Sequence, residues 1–249
     1  AAARCAAWVT SSTAPPPVER PRLGLPTASL DALAAGTEQA FQRPLAAGGR
    51  GVAVVEVDIS AVLGRPRPAE PLVVGWEAPR ELASAAARAL HLTPDEAFAA
   101  LRAGVDTDDV AAFLDAIAAR PVTADEYARA LSLVLDARRL AADTMDRDGV
   151  DALVFPTTPA PAPPSGGGES THHRDREISV FELYTRHTGP GTIVGAPMVT
   201  IPALAEDLPV GVTVQGRRFD DARILALGAQ LQSVLLEVAP SRRTVGAGR

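Results

Sequence analysis

GPGTIVGAPMVTIPALAEDLPVGVTVQG, residues 189–216, decides the class of fold. Two segments of it, 193–201 and 210–214, are rich in valine and isoleucine, and an acidic segment containing proline separates them. β-branched residues bounded by glycine and proline are typical of strands buried in a sheet. We therefore predict two buried strands, with a turn at the glycine-proline-glycine sequence of residues 189–191 leading into the first.

A strand, a helix and a second strand are predicted near the start of the chain. PRLGLP at residues 21–26 favours a short strand, and the alanine-rich residues 30–47 favour a helix closed by two glycines. GVAVVEVD at 51–58 has the β-branched composition of a buried strand. This order favours a right-handed crossover between parallel strands, so we expect an α/β fold.

The middle of the chain carries two signals for the start of a helix. In TPDE, Thr93 can cap the helix, Pro94 suits its first position, and Glu96 can bond back to the cap amide. TADE repeats the pattern with Thr123 and Glu126. We therefore predict a largely helical middle region.

The second of these helices is predicted to be long and to lead into another strand. It ends near Gly149, and VDALVFP follows as a strand that stops at Pro156. Residues 157–170 form a loop by composition, and a last amphipathic helix begins at Asp220 or Asp221. Apolar residues at helical spacing on the long helix are predicted to be core: Tyr127, Leu131, Leu135 and Met145.

Composition and charge exclude several classes of function. The 249 residues are 47% hydrophobic, which is enough for a substantial core. The net charge of -6 argues against a nucleic-acid partner, because binding to phosphates requires clustered cationic side chains. No apolar stretch approaches the ~18 residues of a membrane-spanning helix, and the first residues lack the pattern of a signal peptide. We therefore expect a soluble, cytoplasmic protein with no membrane partner.

All 24 positively charged Lys and Arg positions are arginine, so the sequence contains no lysine. Schiff-base lysines, lysine general bases and the lysine of phosphate-binding loops are therefore excluded within these residues. The single cysteine, Cys5, cannot form an internal disulfide, and we interpret it as an incidental thiol. Residues 1–20 are predicted to be a disordered lead or linker and residues 241–249 a tail.

Metal and nucleophile sites have only weak support in the sequence. His172 and His173 with Asp175 suggest a metal hydrolase, but neighbouring residues on a strand point to opposite sides and the usual ligand spacings are absent. A solvated loop explains these residues better, and we predict no metal. SGGGES at residues 165–170 resembles a nucleophile loop, but a flexible loop is the better interpretation because no strand leads closely into it. His187 is the histidine beside glycine- and proline-rich backbone.

Three motifs in order resemble the C-terminal half of the amidase-signature hydrolases. They begin with VTADEYARALSLVLDARRLAADTMDRDGVDALVFPTTPAPAPP, continue with VFELYTRHTGPGTIVGAPMVTIPAL, and end with DLPVGVTVQGRRFDDARILALGAQLQ. Within that family the motifs are most similar to the indoleacetamide and mandelamide hydrolase group. The resemblance implies a mixed central sheet flanked by helices, with residues 21–240 forming the C-terminal part of an amidase-signature domain.

The same resemblance implies hydrolysis of a carboxamide to a carboxylic acid and ammonia by two serines and a lysine, without a cofactor. That catalytic centre belongs to the family's N-terminal half, so we expect no catalytic residue in this chain. A start at Ala1 without methionine indicates a fragment. We therefore expect this chain alone to be inactive, and a small-molecule amide to be the substrate of the complete enzyme, which could form a homo-oligomer. The alternative is an inactive amidase-like module that binds a partner protein or a separate N-terminal half.

Candidate substrate-binding residues follow from the family pattern. Thr188 and Thr192 are the best candidates to face a cleft, while the family's asparagine is replaced by His187. Gly195 and Pro197 favour a turn into a strand over contact with substrate, and Arg186 is expected to pair with Glu182. Thr157 and Thr158 follow the end of a strand, where ligands often bind, although turn capping explains them equally well. The predicted substrate-binding set is Thr188, Gly191, Thr192, Gly195 and Thr157.

Overall fold

The computed structural model describes residues 18–47, 51–64, 67–203 and 208–238. The chain divides into two units. The sheet unit contains residues 1–60 and 141–249, and the helical unit contains residues 61–140. The predicted lead at residues 1–20 lies outside the described residues except for its last three, and the tail at 241–249 lies wholly outside them.

The strands form one mixed sheet and one hairpin. They are β1 (Arg22–Pro26), β2 (Ala53–Val57), β3 (Ala152–Pro156), β4 (Ser170–His173), β5 (Arg176–Ser179), β6 (Met198–Ala203) and β7 (Val210–Gln215). The sheet has the order β2-β1-β3-β7-β6, and β4 pairs with β5. β1 is parallel to β2 and β3, whereas β7 is antiparallel to β3 and β6. The predicted α/β fold with a mixed sheet is confirmed.

Nine α-helices lie within the described residues. They are α1 (Ala35–Ala47), α2 (Ser60–Gly64), α3 (Glu70–Leu90), α4 (Pro94–Ala103), α5 (Asp108–Ala119), α6 (Ala124–Arg147), α7 (Val180–Thr185), α8 (Gly189–Val194) and α9 (Asp221–Val238). The helix predicted over residues 30–47 starts later, at Ala35. Residues Thr27–Leu30 form a 3-10 turn, and Ala32 has a φ of 57°, which a right-handed helix cannot include. None of these helices is long and apolar enough to cross a membrane.

The two faces of the sheet bury different sets of side chains. On the first face, α1 and α9 pack on the valine-rich strands, with Phe41 of α1 and Ile224 of α9 nearly inaccessible to solvent. On the second face, Met145 at the end of α6 packs with Leu153 and Phe155 of β3. The central strand β3 is buried along its whole length because side chains cover both of its faces.

Two predictions of burial were wrong. β2 was predicted to be buried, but it is an outer strand of the described sheet, and Val57 is its one buried residue. Leu135 was predicted to be core, but its side chain is 53% exposed. Of the other three apolar residues on α6, Met145 is buried, while Tyr127 and Leu131 are half-buried.

The helical unit begins two of its helices as the sequence predicts. At α4, the Thr93 hydroxyl accepts from the Glu96 amide, and the Glu96 carboxylate accepts from the Thr93 amide at 2.9 Å. Thr123 and Glu126 form the same reciprocal pair at α6. These bonds satisfy backbone N–H groups that have no partner inside a helix.

A stack of side chains joins α3 to α6 within the helical unit. The Trp76 and Tyr127 rings lie 5.0 Å apart between centroids and are nearly parallel, at 11°. The Arg80 guanidinium lies 3.5 Å from the Trp76 centroid, and the Tyr127 hydroxyl donates to Glu77 at 2.6 Å. Aromatic stacking and cation–π contacts each stabilise by about 1 kcal/mol.

Replacing Trp76 with alanine should therefore lower the free energy of unfolding by about 2 kcal/mol, measured by urea denaturation. Leu90→Ala on the same helix is the matched control, because Leu90 is 53% exposed. It should change stability by less than about 0.5 kcal/mol. Equal effects of the two substitutions would show that the stack does not stabilise the unit.

Candidate functional site

Three threonines form a row across the second face of the sheet. The register places Thr200 of β6 opposite Thr213 of β7, and Thr157 directly follows β3. The Oγ1 atoms of Thr157 and Thr213 are 2.8 Å apart, and those of Thr213 and Thr200 are 3.4 Å apart. Thr213 is fully buried, Thr157 is half-buried and Thr200 is exposed. The threonine row thus runs from the carboxyl end of β3 to an outer strand.

Gly211 on β7 lies against the threonine row. A Cβ atom at this position would be 2.7 Å from Thr200 Cγ2 and 2.9 Å from Thr157 Cβ, and closer still to Thr157 Oγ1. The Thr157 amide also donates to the Gly211 carbonyl at 2.8 Å. The row therefore needs glycine here because neighbouring side chains occupy the space of a Cβ.

The predicted turn at residues 189–191 is wrong, because these residues begin the short helix α8. Pro190 suits the first turn of a helix, and Gly195, with a φ of 70°, ends it in the left-handed conformation. The strand predicted over 193–201 consequently begins only at Met198. Gly191 is buried, and a Cβ on it would be 2.9 Å from Gln215 Cδ and 3.0 Å from Met198 Sδ. α8 therefore packs closely on the second face of the sheet.

The predicted substrate-binding residues fall into two groups. Thr188, Gly191, Thr192 and Gly195 all lie on or next to α8, whereas Thr157 follows β3. The Thr192 hydroxyl donates to the Thr188 carbonyl at 3.0 Å, so its proton is used within the helix. Thr188 occupies the N-cap position without a side-chain capping bond. Their contact with a substrate stays a prediction.

Thr158 and Arg186 lie close to the predicted substrate-binding residues in the sequence. Thr158 donates to the Ala160 carbonyl at 2.8 Å, which is the turn-capping interpretation. Arg186 and Glu182 were expected to pair, but the ion pairs within the described ranges do not include them. The positive charge of Arg186 instead lowers the pKa of the neighbouring His187.

His187 joins the two groups. Its Nδ1 lies 2.7 Å from the Pro156 carbonyl oxygen, and its ring meets Phe155 edge-on at 85° with centroids 6.4 Å apart. The residue is 8% exposed, and its Nε2 has no hydrogen-bond partner in the part of the chain that the structure describes. Burial lowers the pKa of His187, and the positive charge of Arg186 lowers it further, against an opposing effect of the bond to Pro156. Sequence reasoning did not place this residue in the site.

Two adjacent histidines lie on the hairpin. His172 and His173 were expected in a solvated loop, but they lie on β4 of the hairpin, because β4 pairs along its length with β5. His173 is 7% exposed, and its Nε2 lies 2.5 Å from the Ala32 carbonyl oxygen. Among the described residues, no cluster of three or more His, Cys, Asp or Glu could hold a metal ion.

Known proteins are similar to this chain in sequence and in fold. The Indoleacetamide hydrolase of Rhizobium radiobacter is 36% identical over 88 residues, which are 34% of this chain and 19% of that protein. A Glutamyl-tRNA(Gln) amidotransferase component of Pseudothermotoga lettingae is 33% identical over 93 residues, 36% of this chain and 18% of that protein. A crystal structure of an amidase superposes with a TM-score of 0.74 and 27% identity, and covers 92% of this chain.

The chain matches only part of these proteins. The superposition covers 49% of the crystal structure of the amidase, so the chain spans about half of its length. The sequence profile of the family described as Amidase matches residues 26–225. These residues include β3, α8 and the threonine row, and they contain most of the three motifs on which the prediction of the family rests. The chain therefore belongs to the amidase family.

Proposed function

We propose that the complete protein hydrolyses a small carboxamide to a carboxylic acid and ammonia, and that the residues described here form its C-terminal sheet and part of its substrate pocket. The membership of the amidase family carries this proposal. An arylacetamide is the proposed substrate class, because a relative at 36% identity is an indoleacetamide hydrolase. Thr157, Thr188 and the backbone around α8 are the proposed substrate contacts.

Amide hydrolysis requires catalytic groups in addition to the proposed substrate contacts. The reaction needs a nucleophile, a base that is neutral before it takes a proton, and donors that stabilise the oxyanion. The resemblance to amidase-signature hydrolases implies two serines and a lysine, and the sequence contains no lysine. We propose that this centre is supplied by a segment outside the 249 residues and that this segment lies against the pocket.

The proposal is tested by measuring ammonia release from indoleacetamide and mandelamide. We expect the complete gene product to release ammonia and residues 1–249 alone to release none above the uncatalysed rate. Turnover by residues 1–249 that a serine-directed inhibitor abolishes would show that the chain carries its own catalytic centre. A mock purification from cells that lack the gene, assayed on the same two amides, serves as the control for contaminating hydrolases.

The alternative is an inactive amidase-like module that binds a partner protein or a separately encoded N-terminal half. The outer strand β6 supports it, because it pairs only with β7 in the described sheet and carries the exposed Thr200. A complete gene product that hydrolyses neither amide but forms a specific complex would favour this function. The cytoplasmic location and the possible homo-oligomer remain predictions from the sequence.

A further inference from the structure

His187 connects the two segments that carry the proposed substrate contacts. His187 directly precedes Thr188, and its bonding partner Pro156 directly precedes Thr157. A carbonyl oxygen only accepts hydrogen bonds, so the Nδ1 atom of His187 must carry a proton and donate it to Pro156. This bond of 2.7 Å therefore joins the residue before Thr188 to the end of β3.

The surroundings of the ring favour its neutral form. On the β3 side it meets Phe155 and Pro156, which carry no charge, and on its own segment it meets the positive charge of Arg186. The Nε2 atom is buried and has no partner among the described residues. A proton on Nε2 would add a buried donor without an acceptor and a second positive charge beside Arg186, and both are unfavourable.

We propose that His187 is a positioning residue for substrate binding, whose neutral ring holds Thr188 and α8 against the end of β3. Protonation of Nε2 keeps the bond to Pro156 but places a charge in a buried position beside Arg186, which drives the ring towards solvent and moves Thr188 away from Thr157. The inference rests on the proposed function, because it concerns affinity for the amide. His187 acts through the two threonines and does not itself take part in the reaction.

The direction of the pH dependence follows from the protonation state. The pKa of His187 is lowered from its ordinary 6.5, so the ring is neutral at neutral and alkaline pH. The positioning of Thr188 by His187 is therefore intact above pH 6.5. It is lost as the pH falls through the lower pKa that His187 has in the folded protein. A carboxamide substrate does not titrate in this range, so a rise of KM at acid pH reports on the protein.

The test uses the complete gene product and an arylacetamide, with KM and kcat measured from about pH 8 down to the lowest pH at which the protein stays folded. We expect the wild-type KM to rise about tenfold towards acid pH. Protonation of the catalytic base should lower kcat alike in the wild type and in the His187 variants, so KM is the decisive quantity. His187→Asn keeps an N–H donor for Pro156 and cannot titrate, so its KM should not depend on pH. His187→Leu loses the donor, and its KM should be about tenfold higher at every pH.

His173→Gln is the matched control, since His173 is equally buried and lies on the hairpin. It bonds the Ala32 carbonyl through Nε2, and the longer Gln side chain keeps an N–H donor at that reach. His173→Gln should keep the wild-type pH profile of KM. A rise of KM at acid pH that persists in His187→Asn, or a wild-type KM in His187→Leu, would overturn the proposal.

A second measurement does not depend on activity. In ¹⁵N-histidine NMR spectra of the complete gene product, the His187 signal is identified by its loss in His187→Asn. We expect a neutral ring with the proton on Nδ1 at neutral pH, and a charged ring or a proton on Nε2 would overturn the positioning contact. If no amide is hydrolysed, the proposed function fails, while these spectra still decide whether His187 makes this contact.

Discussion

Replacing Phe41 with alanine is expected to lower the free energy of unfolding by about 3–5 kcal/mol, measured by urea denaturation. Phe41 has no exposed surface and belongs to the cluster between α1, α9 and the first face of the sheet. Its buried neighbours in that cluster include Leu23, Val154, Val212, Val214 and Ile224. Alanine would leave a cavity among these residues, because strands on one side and a helix on the other limit collapse.

Phe181→Ala is the matched control for this substitution. Phe181 also lies in the sheet unit, but its side chain is 72% exposed, so the same change should cost less than about 0.5 kcal/mol. A loss of about 3–5 kcal/mol is a large share of the ~5–15 kcal/mol that stabilises a typical domain. Similar effects of the two substitutions would mean that the cluster around Phe41 is not the core of the folded protein.

The sequence predicts the elements whose signals are local. β1, β3 and α9 occur where composition, proline and glycine indicate them, and the two capped helices start at the predicted threonines. The parallel pairing of β1 and β2 follows from their strand-helix-strand order. These signals suffice because each one depends on residues within a few positions of one another.

The errors occur where local preferences conflict. Ile193 and Val194 favour a strand by composition, yet they complete α8 because Pro190 suits its start and Gly195 ends it. In β2, a run of β-branched residues indicates burial, but its place at the outside of the described sheet leaves one face and one edge less covered. Strand order is a long-range property, so composition alone could not reveal this.

The candidate site depends even more on long-range pairing. The bond between Thr157 and Thr213 joins residues 56 positions apart, and only the register of β3 with β7 brings them together. His187 carried two sequence signals, its position beside glycine- and proline-rich backbone and its replacement of the family's asparagine, but neither indicated that its ring is buried against Phe155. The prediction placed the threonines near a site, while the contact that joins them required the structure.

Replacing Gly211 with alanine is expected to lower the free energy of unfolding by about 2–3 kcal/mol. Alanine ordinarily stabilises a strand by about 0.5–1 kcal/mol relative to glycine, so any loss of stability in Gly211→Ala must come from packing. The added Cβ would lie 2.7 Å from Thr200 Cγ2 and 2.9 Å from Thr157 Cβ, and both side chains are β-branched and stiff. Urea denaturation measures the loss. In the complete gene product KM should also rise, because the strand pair that holds Thr157 is displaced.

Two further variants separate packing in the threonine row from a general effect of losing glycine. A Cβ on Gly189 of α8 would meet no atom within 4 Å, so Gly189→Ala should not destabilise the protein. Thr157→Ala removes the Oγ1 atom that the new Cβ would meet most closely, so the double variant should cost about 1 kcal/mol less than the sum of the single variants. Additive losses would instead show that Thr157 does not limit residue 211. The need for glycine at residue 211 would then arise from Thr200 or the backbone. The contact with Gly211 would then not determine the position of Thr157.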